Sequence, residues 1–372
     1  MPGLFQESAK HIGAHLAVLY VVDLDQRWLV PLPREDGKPA DDLVIDGTLA
    51  GRSYRTLEVL DMVDEDGHRH VWVPLLDGAE RLGVVDFVFA DGGHGDPDQI
   101  RALAGIGAEL VMTKHSYGDF FHLARRRQPL TVAAELLWQL LPPLTFGTED
   151  LVISASFLPT VDLGGDAFDY SVDLQRAEVA VFDAMGHDLQ AGLLATAAVA
   201  AYRNGRRNKL GLTETADHIH RTIASEFGSN HFVTGILTSL DIDTGRLCCC
   251  MAGHPPPLLL RQGRVVKSLE AGTGMPFGIG ASSHQYEEQL EPGDRVLLYS
   301  DGITEARDAS GQLFGLDHLV DLVGRTASSD APPETMRRLM HAVENHNDGP
   351  MRDDGTAVMI EWRGTSSQKL II

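Results

Sequence analysis

Two strongly apolar segments of this chain end abruptly on an aspartate, and this pattern restricts what the chain can fold into. Asp183 closes the run "EVAVFD", and Asp301 closes the run "RVLLYSD". A glycine follows each aspartate within three residues. A carboxylate at the end of a core strand is costly to bury unless a helix N-terminus, a salt-bridge partner or a metal ion binds it. The fold must therefore bring a partner to each of these strand ends.

Other acidic residues occupy similar positions. Asp166 follows a Gly-Gly pair, and Asp353 and Asp354 stand directly before the apolar run "GTAVMI". Each of them alone is typical of an ordinary turn or helix cap. Together, strand ends that project carboxylates towards one edge form an oxygen-only pocket, and no thiolate or histidine pair at ligand spacing accompanies them. This donor set favours Mg²⁺ or Mn²⁺ over Zn²⁺, and two such ions can activate a water for in-line attack on a phosphoryl group.

Composition limits the partners and the compartment. The 372 residues predict two or three domains, and the formal charge of −22 argues against nucleic acid or an anionic membrane as the main partner. The three cysteines are contiguous, at 248–250, and are interpreted as small apolar strand residues. A chain without a disulfide framework fits a reducing cytoplasm. The apolar N-terminal run is too short for a bilayer span and lacks a cleavage site, so we expect no membrane association.

The chain divides into four segments. Residues 1–117 contain short β-rich runs and then a helix, for which Asp96 is the expected N-cap and Pro97 the first residue. Residues 118–143 predict a linker helix, which either forms a dimer seam or packs on its own domain. Residues 144–365 alternate strands joined by short turns with a few unevenly spaced helices, which indicates an α+β class with mainly antiparallel sheets. Residues 366–372 are expected to form a frayed tail.

A family resemblance rests on seven motifs in order. They are "GGDAFD", "DAMGHDLQAG", "FVTGILTSLD", "MAGHPPPLLL", "GMPFGIG", "PGDRVLLYSDGITEARDASGQLFG" and "DDGTAVMI". The order resembles the SpoIIE/RsbU branch of the metal-dependent serine/threonine phosphatase (PPM) superfamily over nearly all of residues 144–362. The resemblance implies an αββα sandwich, in which helices flank two central antiparallel sheets, with a pair of Mn²⁺ or Mg²⁺ ions at one edge.

The resemblance also implies a set of site residues. Asp166, Asp183, Asp301 and Asp353 would be the catalytic metal ligands, and Ala184 would contribute its carbonyl oxygen. Asp354 and Asp169 are weaker candidates for the same set.

A few residues depart from the motifs or have open roles. Asp188 stands where the family's D-x-x-G-x-G turn usually has its second glycine, so it either shifts the loop or adds a carboxylate near the pocket. His187 is interpreted as lying near the site, where it would act as a general acid or donate a hydrogen bond to the phosphate. His254 and Thr234 are interpreted as structural, the latter as β-strand packing.

Residues 1–117 are similar to a GAF sensor domain, without a fingerprint that names its ligand. The leading hypothesis is a metal-dependent phosphatase acting on phosphoserine or phosphothreonine of a bacterial signalling protein, such as an anti-anti-sigma factor, under control of the sensor domain. Dimerisation through the GAF-like domain and linker helix belongs to this hypothesis. The alternative is a signalling adaptor with a phosphatase fold and weak catalysis, which Asp188 alone supports.

Overall fold

The computed structural model describes residues 2–33, 38–90, 93, 95–114, 117–158, 164–186, 188–228, 230–270, 274–280, 285–347 and 353–364. The chain divides into two compact units, Met1–Pro129 and Leu130–Ile372. This boundary falls inside the segment 118–143 that the sequence assigns to a linker.

The first unit is built on one antiparallel sheet. Its six strands, in the spatial order β3-β2-β1-β6-β5-β4, are β1 (Leu16–Val22), β2 (Trp28–Pro31), β3 (Leu43–Val44), β4 (Leu60–Val63), β5 (Arg69–Asp77) and β6 (Glu80–Phe89). Its helices are α1 (Pro2–His11), α2 (Leu49–Thr56), α3 (Pro97–Lys114) and α4 (Phe120–Arg125). The sheet packs against helix α3, whose buried residues include Ile100 and Leu103.

The second unit contains two antiparallel sheets. The first has the order β15-β12-β11-β10-β9 and consists of β9 (Asp166–Val172), β10 (Arg176–Ala184), β11 (Val233–Asp241), β12 (Arg246–Ala252) and β15 (Gln285–Gln289). The second has the order β14-β13-β16-β17-β8-β7 and consists of β7 (Thr145–Gly147), β8 (Leu151–Leu158), β13 (Leu258–Arg261), β14 (Arg264–Ser268), β16 (Asp294–Tyr299) and β17 (Gly355–Trp362). The helices are α5 (Val132–Leu140), α6 (Leu189–Arg207), α7 (Leu212–Phe227), α8 (Asp301–Thr304), α9 (Gly315–Ala327) and α10 (Pro332–His346).

Alternation along the strands produces the layers of this unit. On β16, Val296 and Leu298 face the core shared with the first sheet, whereas Leu297 and Tyr299 face a second core with α9 and α10. Successive side chains of a strand point to opposite faces, so both faces of this sheet are buried. Helices α6 and α7 contribute buried residues on the other side of the sandwich, including Tyr202. The α+β class and the αββα layering expected from the sequence are confirmed.

Local signals placed most elements correctly. Helix α3 begins at Pro97, and the Asp96 carboxylate accepts the backbone N–H of Asp98 at 2.9 Å, as an N-cap does. The predicted hairpin loop over 77–81 is shorter in the structure, because β5 and β6 extend to Asp77 and Glu80. The cysteines lie on β12 as free thiols, and burial raises the pKa of Cys250 to about 11, which agrees with their interpretation as strand residues.

Candidate metal centre

Strand pairing places the first two predicted ligands side by side. Asp166 begins β9 and Asp183 is the penultimate residue of β10, and the antiparallel register sets the two opposite each other. The Gly-Gly pair before Asp166 permits close approach of the following turn. A side chain at Gly165 would come within 2.7 Å of the Ala184 carbonyl oxygen, the predicted backbone ligand. The turn after β10 therefore lies against the start of β9.

The second sheet of this unit supplies the other two predicted ligands. Asp301, the first residue of α8, lies two residues after the end of β16, and Asp353 stands two residues before β17. The hydroxyl of Ser300 donates to Oδ2 of Asp166 at 2.6 Å and accepts the backbone N–H of Thr356 at 3.0 Å. Ser300 thus joins the ends of β16 and β17 to the start of β9. All four predicted carboxylates lie where the two sheets meet.

Burial and neighbouring carboxylates raise the pKa values of all four residues. Burial, with added repulsion from Asp301 and then Asp353, raises the pKa of Asp183 to about 7. Burial and then Asp301 raise the pKa of Asp353 to about 6. The pKa of Asp166 is raised well above its usual range by burial and then by Asp183. Burial and then Glu305 also raise the pKa of Asp301. Carboxylates that repel one another in this way are stabilised by a cation between them, and an oxygen-only donor set fits a hard divalent ion.

Asp354 has a structural contact of its own. It is 2% exposed, and its Oδ2 accepts the backbone N–H of Gly165 at 2.8 Å and that of Asp166 at 3.4 Å. This carboxylate fastens the Gly-Gly-Asp turn to the segment before β17. In the sequence, Asp354 is only a second aspartate beside Asp353. Its partner, the backbone of Gly165 and Asp166, lies nearly two hundred residues earlier and cannot be predicted from that pattern.

Asp169 lies outside the cluster. Its buried carboxylate accepts hydrogen bonds from Arg203, with Nη2 at 2.7 Å from Oδ1, and from Arg206. Both arginines lie on α6, so Asp169 ties that helix to β9. The weak expectation of a ligand role for Asp169 finds no support in this geometry.

Asp188 caps a helix. Its carboxylate accepts the backbone N–H groups of Gln190 and Ala191 at 2.9 and 3.2 Å, at the start of α6. The departure from the family's glycine is thus explained by a local N-cap. His187 lies outside the described residues.

Thr234 has a role that the sequence did not show. It stands opposite Asp183 in the β10–β11 register, and its hydroxyl lies close enough to the Asp183 carboxyl to lower the pKa of that group. The same hydroxyl lies 2.9 Å from Nδ1 of His254, which is 2% exposed. The expectation of simple strand packing for Thr234 is therefore incomplete, whereas His254 is buried as expected.

A different cluster occurs in the first unit. Asp64, Asp66 and His68 place one ligand atom each within 4.8 Å of one another, and they form the only such group among the described residues. The Asp64 carboxylate accepts the backbone N–H groups of Asp66 and His68, so these residues also form an ordinary turn. The predicted ligands of the second unit are more widely spaced, as suits ions that retain several waters.

Comparison with known proteins places the chain in a family. Residues 174–363 match the sequence model of Stage II sporulation protein E (SpoIIE), and the chain belongs to this family. Asp166 precedes the matched region, so its place in the site rests on geometry. The phosphoserine phosphatase RsbU of Bacillus subtilis (strain 168) is 24% identical over 237 residues, which are 63% of this chain and 70% of RsbU.

Solved structures support the same class. The RsbU and RsbW domains of Rv1364c from Mycobacterium tuberculosis match with a TM-score of 0.52 and 26% identity, over 58% of this chain and 62% of that chain. The match therefore spans less than two thirds of that Mycobacterium chain. The SiaA-PP2C domain of Pseudomonas aeruginosa shares the fold, with a TM-score of 0.52 and 19% identity over 71% of this chain and 99% of that domain. Family and fold together place the second unit in the class of PP2C-type phosphatase domains.

The described residues include no helix that is long and apolar enough to cross a membrane.

Proposed function

We propose that the protein hydrolyses phosphoserine or phosphothreonine on a bacterial signalling protein, of the anti-anti-sigma-factor kind, with Mn²⁺ or Mg²⁺ bound by Asp166, Asp183, Asp301 and Asp353 and by the Ala184 carbonyl. The observation that carries the proposal is the meeting of these carboxylates at the junction of two sheets, where burial and mutual repulsion raise their pKa values. Two bound divalent ions would supply an activated water and neutralise the charge of the phosphoryl group.

The chain's own residues hold this site in place. Ser300 and Asp354 fix the Gly-Gly-Asp turn from two sides, through the carboxylate and the backbone of Asp166. Asp353 keeps part of its surface in solvent although its carboxyl group is largely desolvated, so a phosphorylated side chain on another protein can approach it. An exposed rim next to buried ligands suits a protein substrate, whose phosphate must reach the centre without unfolding.

Regulation by the first unit is part of the proposal, and helix α5 supports it. Ala133 of α5 packs against the turn before Asp166, since a side chain at Gly164 would approach its Cβ to 2.9 Å. It also packs against α6, where a side chain at Gly192 would approach the same Cβ to 3.3 Å. A displacement of α5 would therefore move the Gly-Gly-Asp turn. Dimerisation through the first unit and the segment 118–143 is proposed as the way in which such a displacement arises.

Phosphate release tests the proposal. Wild type, Asp183→Asn and Asp301→Asn are compared on an aryl phosphate and a phosphoserine peptide, with Mn²⁺, with Mg²⁺ and with chelator. Metal-dependent turnover that both variants lose is the expected result. A wild type that is folded and binds metal but releases no phosphate contradicts the activity and favours the adaptor hypothesis. Asp188 itself no longer supports that hypothesis, because it caps a helix.

A further inference from the structure

A hydroxyl and a buried imidazole stand behind one of the predicted ligands. Thr234 on β11 stands opposite Asp183 on β10, and its hydroxyl lies 2.9 Å from Nδ1 of His254 and close enough to the Asp183 carboxyl to lower the pKa of that group. His254 follows β12 and is 2% exposed, and its imidazole lies next to the Thr234 hydroxyl and near the Tyr299 backbone. We propose that Thr234 and His254 are positioning residues, which fix the Asp183 carboxylate in the orientation that binds the divalent ions. This inference rests on the proposed function and names residues that act through Asp183.

The number of hydrogens on each group determines which group donates in each of these hydrogen bonds. A threonine hydroxyl has one hydrogen, and an ionised carboxylate accepts but cannot donate. When Asp183 is ionised, as a metal ligand must be, the Thr234 hydroxyl donates to it. The hydroxyl oxygen then accepts from His254, so the proton of the neutral imidazole lies on Nδ1.

Burial keeps the histidine in this role over a wide pH range. The pKa of His254 is lowered to about 3 by burial, so the ring is neutral near pH 7 and has a single N–H. Its Nε2 is buried and makes no hydrogen bond of normal geometry to the described residues, although the Tyr299 backbone lies near the ring.

The consequence is a rotamer restraint on Asp183. A carboxylate at the end of a strand has a broad torsion about its terminal bond, and one hydrogen bond from a fixed donor restricts it. Partners of metal ligands of this kind contribute about 10- to 100-fold to metal affinity. The restraint here comes from the neighbouring strand, whose register with β10 is fixed along nine residue pairs.

Mn²⁺ affinity, measured by titration calorimetry on the full chain, tests the inference. Thr234→Val removes the hydroxyl and is expected to weaken Mn²⁺ binding by about 10- to 100-fold, whereas Thr234→Ser keeps binding within roughly threefold. Thr238→Val is the matched control, because Thr238 lies four residues along the same strand and its hydroxyl donates only to the Val179 carbonyl. It should bind Mn²⁺ as wild type does.

Variants of the histidine give an independent measurement. Asn carries an amide at about the position of Nδ1, so His254→Asn should retain most of the affinity that His254→Leu loses. In selectively labelled, metal-loaded protein, the ¹⁵N shifts of His254 should show the proton on Nδ1. Thermal melts in chelator verify that each variant is folded.

The outcomes separate this inference from the proposed function. Thr234→Val that binds Mn²⁺ as tightly as wild type, or a proton found on Nε2, overturns the positioning role. Failure of wild type to bind Mn²⁺ overturns both. A wild type that binds Mn²⁺ and loses this affinity in Thr234→Val, but releases no phosphate, supports the positioning role and contradicts the phosphatase activity alone.

Discussion

At the scale of single residues, the same side chain has opposite consequences according to its partner. Asp183 is surrounded by other carboxylates, whereas Asp169, fourteen residues earlier on the neighbouring strand, is surrounded by arginines. The sequence shows both as acidic residues in apolar segments. Only the fold shows that the Asp183 carboxylate needs a cation, whereas the Asp169 carboxylate already has two arginine partners.

The raised pKa values predict how metal binding depends on pH. Asp183 and Asp353 have pKa values of about 7 and about 6 in the folded, metal-free chain, against about 3.9 when unfolded. Their contribution to stability is therefore complete below about pH 4 and is lost as the pH rises through about 7. Protons compete with Mn²⁺ for the same oxygens, so the rise in melting temperature caused by Mn²⁺ should be small near pH 5.5 and larger near pH 8. Melts with Mn²⁺ and with chelator at both pH values measure it, and an equal rise at the two would contradict it.

Substitution of Asp169 should affect stability and spare the metal. Asp169→Ala leaves Arg203 and Arg206 without their buried carboxylate, which is expected to lower the free energy of unfolding by about 3 kcal/mol. Mn²⁺ affinity should stay within roughly twofold of wild type, since a structural ion pair contributes to folding only. Urea unfolding and calorimetry provide the two readouts. A large loss of Mn²⁺ affinity with unchanged stability would instead make Asp169 a ligand.

At the scale of elements, caps and strand ends determine the geometry of the site. Helix α6 begins at Leu189, five residues after Ala184, and Asp188 caps it. The β9–β10 register thereby fixes the end of β10, and the cap fixes the start of α6. The cap also explains how this chain replaces a glycine of the family's turn without removing a ligand.

Removal of this cap should weaken the helix and leave the chemistry. Asp188→Ala is expected to cost about 1 kcal/mol in unfolding free energy, because two backbone N–H groups lose their acceptor. Asp188→Asn retains a capping oxygen and is the matched control. Both should keep metal-dependent phosphate release. If Asp188→Asn were inert although stable, the negative charge of Asp188 would belong to the site.

Sequence patterns predicted elements with strong local signals and missed those without them. Helix α3 was located from its cap and proline, and β10 and β16 from continuous apolar runs. Strands β9, β14 and β15 were not predicted: β14 and β15 have no buried residue, and the apolar residues of β9 are interrupted by Asp169 and Ser171. The four ligand candidates could be chosen from their positions at strand ends. The roles of Thr234, Ser300 and Asp354 could not, because each depends on a partner that only strand register or a distant turn brings near.

At the scale of the whole molecule, the boundary between the two units has an energetic consequence. Helix α5 belongs to the second unit, and its residues Ala133, Ala134 and Leu137 are buried. The sequence assigned this helix to a linker over 118–143. Its packing against α6 predicts that the phosphatase domain needs it for stability.

Truncation tests this assignment. A fragment of residues 130–364 should be markedly more stable than one of residues 144–364, because the shorter one loses the burial of Leu137, worth about 3 kcal/mol alone. We expect the melting temperature of the shorter fragment to be lower than that of the longer one by roughly 6 to 12 °C. Equal melting temperatures would show that α5 is dispensable to the domain and acts as a linker only.

The central claim, that the carboxylates at the sheet junction form a divalent metal centre, is tested most directly by anomalous diffraction from crystals grown with Mn²⁺. We predict two anomalous peaks in contact with oxygens of Asp166, Asp183, Asp301 and Asp353. Peaks only at the Asp64–Asp66–His68 turn, or none beside Asp183, would contradict the account.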